Sequence, residues 1–351
     1  MPAFGGAAAV GENIIAQLGS KYDFYVYAIS SHTQLKSGRH DGVEIIVFNA
    51  IRWKKLNIIL YYLRSALHCI FRGKYSLIHL HHRETGFIVP FLKTRFPVVL
   101  TTHGTQPTEK HYSLRHLFRL QDRLFLNFPD IVVCPSLKDQ LYVTRLRKRL
   151  TKHITNGVCI SDEAKQSYSI NNIICFAAGR IIPSKGCHLF LEAMQLIKYD
   201  GKLLVAGDLK QMPKYAKELS KHSKGLNVVW LGLIKDKEKL FNTICQSDIF
   251  VFPSAIESMS MMLLEAASLG VPIIASDIKE NKDIFTTDEV LFFRTGDARD
   301  LADKYSWAIT HYNNMIAMAK AAQEKLRTQY AWPKLAVQYD KVYDYLLKSN
   351  H

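Results

Sequence analysis

Residues 247–277 of the chain read SDIFVFPSAIESMSMMLLEAASLGVPIIASD. Two apolar runs, residues 249–252 and 271–275, flank a segment with the apolar spacing of a helix. Pro253 follows the first run, and Gly270, a residue that commonly terminates a helix, precedes the second. The order strand, loop, helix, strand predicts a parallel crossover unit, because two parallel strands need a connection of this length.

Two carboxylates lie between the predicted strands, Glu257 where we expect the helix to begin and Glu265 eight residues later. Eight helical residues rise roughly 12 Å, which is too far for the carboxylate pair of a retaining glycosidase, at about 5 to 5.5 Å. The separation suits the two ends of an extended ligand such as a nucleotide sugar. We expect backbone amides of Ser258, Met259 and Ser260, at the helix N-terminus, to face its diphosphate. The alternative is a capping Glu257 and a surface Glu265.

The spacing from Glu257 to Glu265, together with EAASLGVPIIAS, resembles the E-x7-E signature of retaining glycosyltransferase family 4, the glycosyl transferases group 1. The resemblance implies an α/β protein with the GT-B fold, two facing Rossmann-like domains with a cleft between them. It also implies the domain limits: an N-terminal acceptor-binding domain over residues 1–155, a C-terminal nucleotide-sugar-binding domain over 156–330, and a terminal helix over 331–351 that crosses back to the N-terminal domain.

The N-terminal stretch MPAFGGAAAVGENIIAQLG contains Gly5 and Gly6, which resemble the glycine loop that faces the donor phosphates in this family. Glycine allows such a close approach of the backbone, although two adjacent glycines are most often only a turn. The family has an apolar strand before this loop, and the sequence shows no counterpart to it. We therefore expect the first strand of the N-terminal domain to be missing.

A second motif of the family lies in the C-terminal half, in GRIIPSKGCHLFLEAM. Its pattern G-R-x4-K-G matches Gly179, Arg180, Lys185 and Gly186. Cations at the carboxyl end of a strand, beside a helix N-terminus, would stabilise a pyrophosphate as a leaving group. Without the motif, the two side chains would be ordinary exposed loop cations.

Strand-like runs alternate with helical stretches in the first half, which predicts a parallel α/β sheet. Histidines end one run (SLIHLHH), and TTHG ends another, where ligands of open α/β sheets bind. His103 in TTHG resembles the family's histidine near the reacting sugar and is our second catalytic candidate besides Glu257. A zinc triad lacks a carboxylate or cysteine at ligand spacing, so we expect no metal. The predicted strands are residues 23–29, 43–48, 76–81, 98–103 and 131–135.

Charge is unevenly distributed along the chain, whose net charge is +15. Residues 1–153 contain 22 Lys and Arg against 9 Asp and Glu, whereas residues 154–351 contain 24 against 22. This asymmetry, with the basic and apolar stretch 56–75, favours binding to an anionic membrane surface. Six scattered cysteines, without a C-x-x-C pair, indicate a reducing compartment, and neither a spanning segment nor a secretory signal is evident. We expect a cytoplasmic protein, peripheral on the inner face of the cell membrane.

Missing motifs exclude several classes of protein. The sequence contains no D-x-D, no G-x-x-x-x-G-K-[ST] and no G-x-G-x-x-G, so metal-bound diphosphate, P-loop and dinucleotide chemistry are unsupported. The resemblance implies a metal-independent hexosyltransferase without a cofactor. It would use a nucleoside diphosphate sugar, with UDP as the expected nucleotide. The expected acceptor is a lipid-linked or other anionic saccharide of bacterial capsule or lipopolysaccharide. Alternatives are a nucleotide-sugar 2-epimerase, an inactive scaffold, or a basic nucleic-acid-binding protein; we expect no nucleic-acid partner.

Overall fold

The computed structural model describes residues 6–104, 115–147, 149–160 and 167–349. The chain forms two compact units, one from Met1–Asn156 with Trp332–His351 and the other from Gly157–Ala331. We call them unit 1 and unit 2. In the described part of the chain, no helix combines the length and the apolar character needed to cross a bilayer.

Unit 1 alternates helices with short strands, as the sequence predicts. Its first helix begins at Gly6, while Gly5 lies outside the described residues. A 3₁₀ segment, Arg83–Ile88, precedes the third helix. The elements are α1 (Gly6–Leu18), β1 (Tyr25–Ile29), β2 (Gly38–His40), β3 (Val43–Phe48), α2 (Lys54–Arg72), β4 (Ile78–His81), α3 (Val89–Leu92), β5 (Val98–Thr101), α4 (Arg115–Phe125), β6 (Ile131–Cys134), α5 (Leu137–Leu146) and β7 (Thr151–His153).

The strands of unit 1 form two separate sheets, in the orders β1-β3-β2 and β4-β5-β6-β7. Among the described strands of this unit, only β2 runs antiparallel to its neighbour. None of the strands that the structure describes joins these two sheets, and β1 and β4 each pair on one edge only. Strand β4 is accordingly half-buried along its length, whereas β5 and β6 are buried throughout. The residues before Gly6, where we expect the first strand to be missing, lie outside the described residues.

Unit 2 contains one parallel sheet in the order β10-β9-β8-β11-β12-β13. Its strands are near-continuous apolar runs because helices cover both faces. A π-helical turn, Leu326–Tyr330, follows its last helix. The elements are β8 (Ile173–Arg180), α6 (Cys187–Leu196), β9 (Lys202–Asp208), α7 (Pro213–His222), β10 (Asn227–Gly232), α8 (Lys237–Cys245), β11 (Ile249–Phe252), α9 (Met261–Ser268), β12 (Ile273–Ser276), α10 (Lys279–Lys282), β13 (Leu291–Phe293), α11 (Ala298–Thr310) and α12 (Tyr312–Lys325).

The predicted crossover unit is present, since β11 and β12 pair in parallel with α9 between them. The predicted start of its helix is wrong. Helix α9 begins at Met261, so Glu257 lies in the preceding loop and only Glu265 is helical. This loop is hydrogen-bonded to the loop before α6, because the Ala255 amide donates to the carbonyl of Ser184 at 2.8 Å.

The β4–β7 sheet and the β8–β13 sheet each pack against hydrophobic side chains on both faces. In unit 2, α6, α7 and α11 pack on one face and α8 and α9 on the other. In unit 1, the last helix, α13 (Trp332–Lys348), packs with α1 on the face of the β4–β7 sheet that carries Val99 and Val133. On the opposite face, α2, the 3₁₀ segment and α3 cover Val98, and α5 packs against Leu100.

Candidate active site

The loop between β8 and α6 carries the first motif residues of unit 2. Arg180 is the exposed last residue of β8, and Lys185 ends a 3₁₀ turn before Gly186. Gly186 has a φ of +72°, and a Cβ on it would lie 2.2 Å from the carbonyl oxygen of Pro253. Only glycine permits this close approach. The β8–α6 loop therefore lies against the end of β11.

This contact brings a cation and a carboxylate together from distant parts of the sequence. The Lys185 Nζ lies 2.5 Å from the Glu257 Oε1, and the two side chains are 22% and 10% exposed. An ion pair so shielded is stronger than one in water, because the surroundings screen it less. Arg180 has no carboxylate within ion-pair distance among the described residues.

A buried polar network supports the N-terminus of α9. The Ser260 hydroxyl donates to the Asn281 Oδ1 at 2.6 Å, and the Asn281 Nδ2 donates to the Ser276 carbonyl at 2.9 Å. The Ser276 hydroxyl in turn donates to the carbonyl of Ser254. All four residues are at most 1% exposed. Because Ser260 is engaged with Asn281, its side chain does not cap α9. The Met261 amide donates to the Met259 carbonyl at 2.9 Å, and the next amides of the first turn lie at the positive end of the helix dipole.

The second carboxylate of the motif also faces a cation. Glu265 is 13% exposed, and its Oε1 lies 3.1 Å from the Nζ of Lys237, the first residue of α8. Lys237 is 54% exposed and also lies over the ring of Phe241. The pair therefore sits at the solvent boundary, where an exposed partner can be displaced at small cost.

Three histidines of unit 1 form a connected chain at the carboxyl ends of β4 and β5. The His81 Nδ1 and the His103 Nε2 lie 2.8 Å apart. His79 contacts the hydroxyl of Tyr343 on α13 through its Nδ1, at 2.7 Å, and the hydroxyl of Thr101 through its Nε2, at 2.8 Å. The rings of His79 and His81 stack with their centroids 4.4 Å apart. Contacts on both sides hold the orientation of each ring.

Burial keeps these histidines neutral. It lowers the pKa of His81 to about 4, with a smaller effect from the charge of His82, and lowers the pKa of His79 and His103 well below the ordinary value. With both rings neutral, one of the two nitrogens between His81 and His103 donates and the other accepts. His103 also has a φ of +49°, a conformation that is unusual for a side chain of this size.

The structure groups the candidate residues by unit. In unit 2 it pairs Lys185 with Glu257, while the backbone of residues 258–260 leads into α9. In unit 1 it places His103 beside His81, and Gly6 at the start of α1. No group of three or more His, Cys, Asp or Glu side chains that could hold a metal occurs among the described residues.

Sequence reasoning missed four residues that complete these arrangements. They lack a local signal, because each acts through a partner that is distant in sequence. A buried polar side chain within an otherwise apolar run is the one available hint. The four residues are Lys237, Asn281, Ser276 and Tyr343.

Family models match nearly the whole chain. The model of glycosyltransferase family 4 matches residues 4–162, and that of glycosyl transferases group 1 matches residues 161–325. The two matches meet close to the boundary between unit 1 and unit 2.

Three similar proteins are named as glycosyltransferases or as a subunit of one. The GPI3 subunit of phosphatidylinositol N-acetylglucosaminyltransferase from Saccharomyces cerevisiae is 23% identical over 78% of this chain, which spans 64% of that relative's length. The capsular polysaccharide glycosyltransferase CapM of Staphylococcus aureus is 24% identical, over 76% of this chain and 79% of CapM. An Escherichia coli enzyme named UDP-Gal:alpha-D-GlcNAc-diphosphoundecaprenol alpha-1,3-galactosyltransferase is 25% identical, over 60% of both chains.

Solved structures share the fold. Sucrose-phosphate synthase of Thermosynechococcus elongatus superimposes with a TM-score of 0.82 at 20% identity, over 97% of this chain and 92% of that one. HepE of Anabaena, solved with UDP and glucose, gives 0.78 at 20% identity, over 97% and 96% of the two chains. The two family models and this shared fold show that the chain belongs to glycosyltransferase family 4, the glycosyl transferases group 1, and has the GT-B fold.

Proposed function

We propose that this protein is a retaining glycosyltransferase that moves a hexose from a UDP-sugar to a lipid-linked or other anionic saccharide in surface polysaccharide synthesis. The observation that carries the proposal is the approach of Lys185 to Glu257, four residues before α9 begins. A diphosphate and a sugar need positive and negative groups side by side, and this loop pair supplies both.

The donor is held, in this proposal, by unit 2. Lys185, Arg180 and the first-turn amides of α9 supply the positive charge at the diphosphate, so that no metal ion is required. Glu265 accepts hydrogen bonds from the ribose hydroxyls. The choice of UDP is supported by HepE, which was solved with UDP and with UDP-glucose, and by the E. coli relative, whose name specifies UDP-Gal.

Transfer then requires one bond to break and one to form at the anomeric carbon. The bond from this carbon to the diphosphate oxygen breaks first, and the leaving charge is neutralised by Lys185 and Arg180. Glu257 orients the sugar and stabilises positive charge that develops on its ring. The acceptor hydroxyl attacks from the face that the diphosphate is leaving, and its proton passes to an oxygen of the departing diphosphate. His103 donates or accepts one hydrogen bond at the sugar or the acceptor.

The choice of acceptor and location is supported by unit 1, to which we assign acceptor binding. Its half of the sequence carries nearly all the excess positive charge, which suits an anionic acceptor at an anionic membrane surface. The E. coli relative's name specifies a diphosphoundecaprenol-linked acceptor, and CapM acts in capsule synthesis. We therefore place the protein on the cytoplasmic face of the cell membrane as a peripheral enzyme.

The first test is thermal unfolding of the purified chain with UDP, GDP and ADP. A ligand at about 100 times its Kd adds roughly 2.7 kcal/mol to the free energy of unfolding, which is a readily measured shift. We expect UDP alone to stabilise the protein, and Glu265→Ala to lose the shift. Equal shifts with all three nucleotides would contradict the donor assignment.

A product assay tests the reaction itself. UDP-sugars are incubated with a lipid-linked saccharide, and the anomeric configuration of the product is read by NMR. We expect transfer with retention of configuration that persists in EDTA. An inverted product, or a changed UDP-sugar in the absence of acceptor, would overturn the reaction proposed here.

A further inference from the structure

Helix α2 of unit 1 carries an apolar stripe on its outer side, in addition to the apolar side chains that face inward. Ala66 and Cys69 face inward and pack against the β4–β7 sheet layer. Four large apolar side chains on the other side are exposed to solvent. They recur at intervals that place them along one side of a helix. This apolar stripe consists of Leu56 (42% exposed), Ile59 (48%), Leu67 (54%) and Phe71 (76%).

Such a helix is unusual on a protein surface. The outer side of a surface helix normally carries polar or charged side chains, because it is solvated. Trp53, immediately before α2, adds a further apolar ring that is 72% exposed. The stripe therefore requires an apolar environment that the described part of this chain does not supply.

Basic side chains border the stripe. Arg52, Arg64, Arg72 and Lys74 are exposed, and the sequence has no Asp or Glu between Glu44 and Glu84. An apolar stripe edged by cations, with a tryptophan at one end, is the composition of a helix that lies in the headgroup region of an anionic bilayer. Nucleic acid would leave the apolar side chains against phosphates, so it does not suit this surface.

A second helix also exposes apolar side chains beside basic ones. Helix α4 exposes Leu120 (54%) and Leu124 (55%) next to Arg119 and Arg123, which are also exposed. Both α2 and α4 contact the 3₁₀ segment after β4, so the two helices adjoin the same part of unit 1.

We propose that the apolar stripe of α2, with Trp53, inserts into the headgroup region of an anionic lipid bilayer, and that the flanking arginines and lysines bind lipid phosphates. This inference rests on the proposed function, because it assigns the surface by which unit 1 would reach a membrane-bound acceptor. Lys and Arg heads can stay at the phosphate level while their stems cover apolar surface.

The test uses sedimentation of the full chain with vesicles of phosphatidylglycerol and phosphatidylcholine. We expect binding that weakens as salt rises, little binding to pure phosphatidylcholine, and a blue shift of fluorescence that Trp53→Phe removes. The double variant Leu67→Ser with Phe71→Ser should reduce partitioning roughly tenfold or more.

A matched control comes from the opposite face of the same sheet. Val337 and Tyr345 on α13 are 51% and 56% exposed, so Val337→Ser with Tyr345→Ser removes a comparable exposed apolar area. This control should bind vesicles as the parent chain does. Equal losses in both double variants, or no loss in either, would overturn the assignment to α2.

Two further outcomes separate the alternatives. If the Leu67 and Phe71 substitutions convert a lipid-free oligomer to a monomer, the stripe is a protein interface and the bilayer proposal is wrong. UDP stabilisation is measured on the same samples. Vesicle binding without a UDP shift would overturn the proposed function and leave the membrane surface standing, whereas a UDP shift without vesicle binding would overturn the surface alone.

Discussion

The Nζ of Lys185 lies 2.5 Å from the Oε1 of Glu257, although the two residues are 72 positions apart in the sequence. Neither loop could place its charged group alone. The left-handed Gly186 and the hydrogen bond from the Ala255 amide to the Ser184 carbonyl hold the loops together. The pair gives unit 2 a cation and a carboxylate at one point.

Removal of either charge should affect turnover far more than folding. We expect Lys185→Ala and Glu257→Ala each to lower kcat about a hundredfold or more, since the lost group acts on the leaving diphosphate or the sugar. The partner left unpaired in a shielded site should cost about 1 to 3 kcal/mol of unfolding free energy. Initial rates and chemical denaturation measure the two quantities.

A second ion pair of unit 2 provides the control. The Lys325 Nζ lies 2.8 Å from the Glu289 Oε2, and the side chains are 19% and 14% exposed, close to the values for Lys185 and Glu257. Lys325→Ala should destabilise the protein similarly and leave kcat unchanged. A folded Lys185→Ala protein with normal kcat would contradict its catalytic role.

Nucleotide binding should depend on Glu265 and scarcely on Lys237. We expect Glu265→Ala to weaken UDP at least tenfold by calorimetry, because the ribose hydroxyls lose their acceptor. The exposed Lys237 contributes only a solvent-screened ion pair, so Lys237→Ala should change the Kd for UDP less than about fivefold. Glu238→Ala removes the same charge as Glu265→Ala but from the neighbouring helix α8, so it is the control for Glu265→Ala. A large effect of Lys237→Ala would show that this cation binds the nucleotide directly.

The contact between His81 and His103 should influence catalysis. We expect His81→Phe, which keeps a ring but removes the hydrogen bond, to lower kcat about tenfold or more with little change in the donor KM. His68→Phe is the control, since His68 makes a similar 2.8 Å contact with the Tyr27 hydroxyl. Equal effects of both substitutions would reduce the role of His81 to stability.

The histidine chain should make the protein sensitive to acid. Its native pKa values lie below the ordinary 6.5, so between pH of about 6.5 and 4 the unfolded chain binds protons that the native chain does not. The free energy of unfolding should therefore fall as pH falls through this window, by up to about 1.4 kcal/mol per pH unit for each such group. Calorimetry of the parent chain and of His81→Phe measures this, and we expect the shallower dependence in the variant. Parallel curves would contradict the assignment to His81.

The buried network behind α9 should support both stability and donor binding. Asn281→Ala removes the partner of Ser260 and Ser276 and should cost about 2 kcal/mol. Because Ser260 is then free to cap α9, we also expect weaker UDP binding by calorimetry. Ser247→Ala, which removes another fully buried hydrogen bond at 2.7 Å to the Ile244 carbonyl, should destabilise the protein without changing the Kd for UDP. Unchanged UDP binding in Asn281→Ala would contradict the connection between this network and donor binding.

Local sequence was sufficient for most elements of the fold. Predicted runs such as residues 43–48 and 249–252 coincide with β3 and β11, because β-branched and aromatic residues over short runs favour strands. The start of α9 was predicted four residues or more too early. Its N-terminus depends on Asn281, which lies 21 residues beyond Ser260 and cannot be recognised from the loop itself.

By itself, the sequence determined the alternation of strands and helices, the concentration of positive charge in the first half, and the family motifs that contain Arg180, Lys185, Glu257 and Glu265. These properties are encoded by residue type over short distances. Only the tertiary structure decided which charges are paired, that His81 contacts His103, and that the strands of unit 1 form two separate sheets. The physical reason is that such contacts depend on how distant segments pack, and short-range periodicity carries no information about that packing.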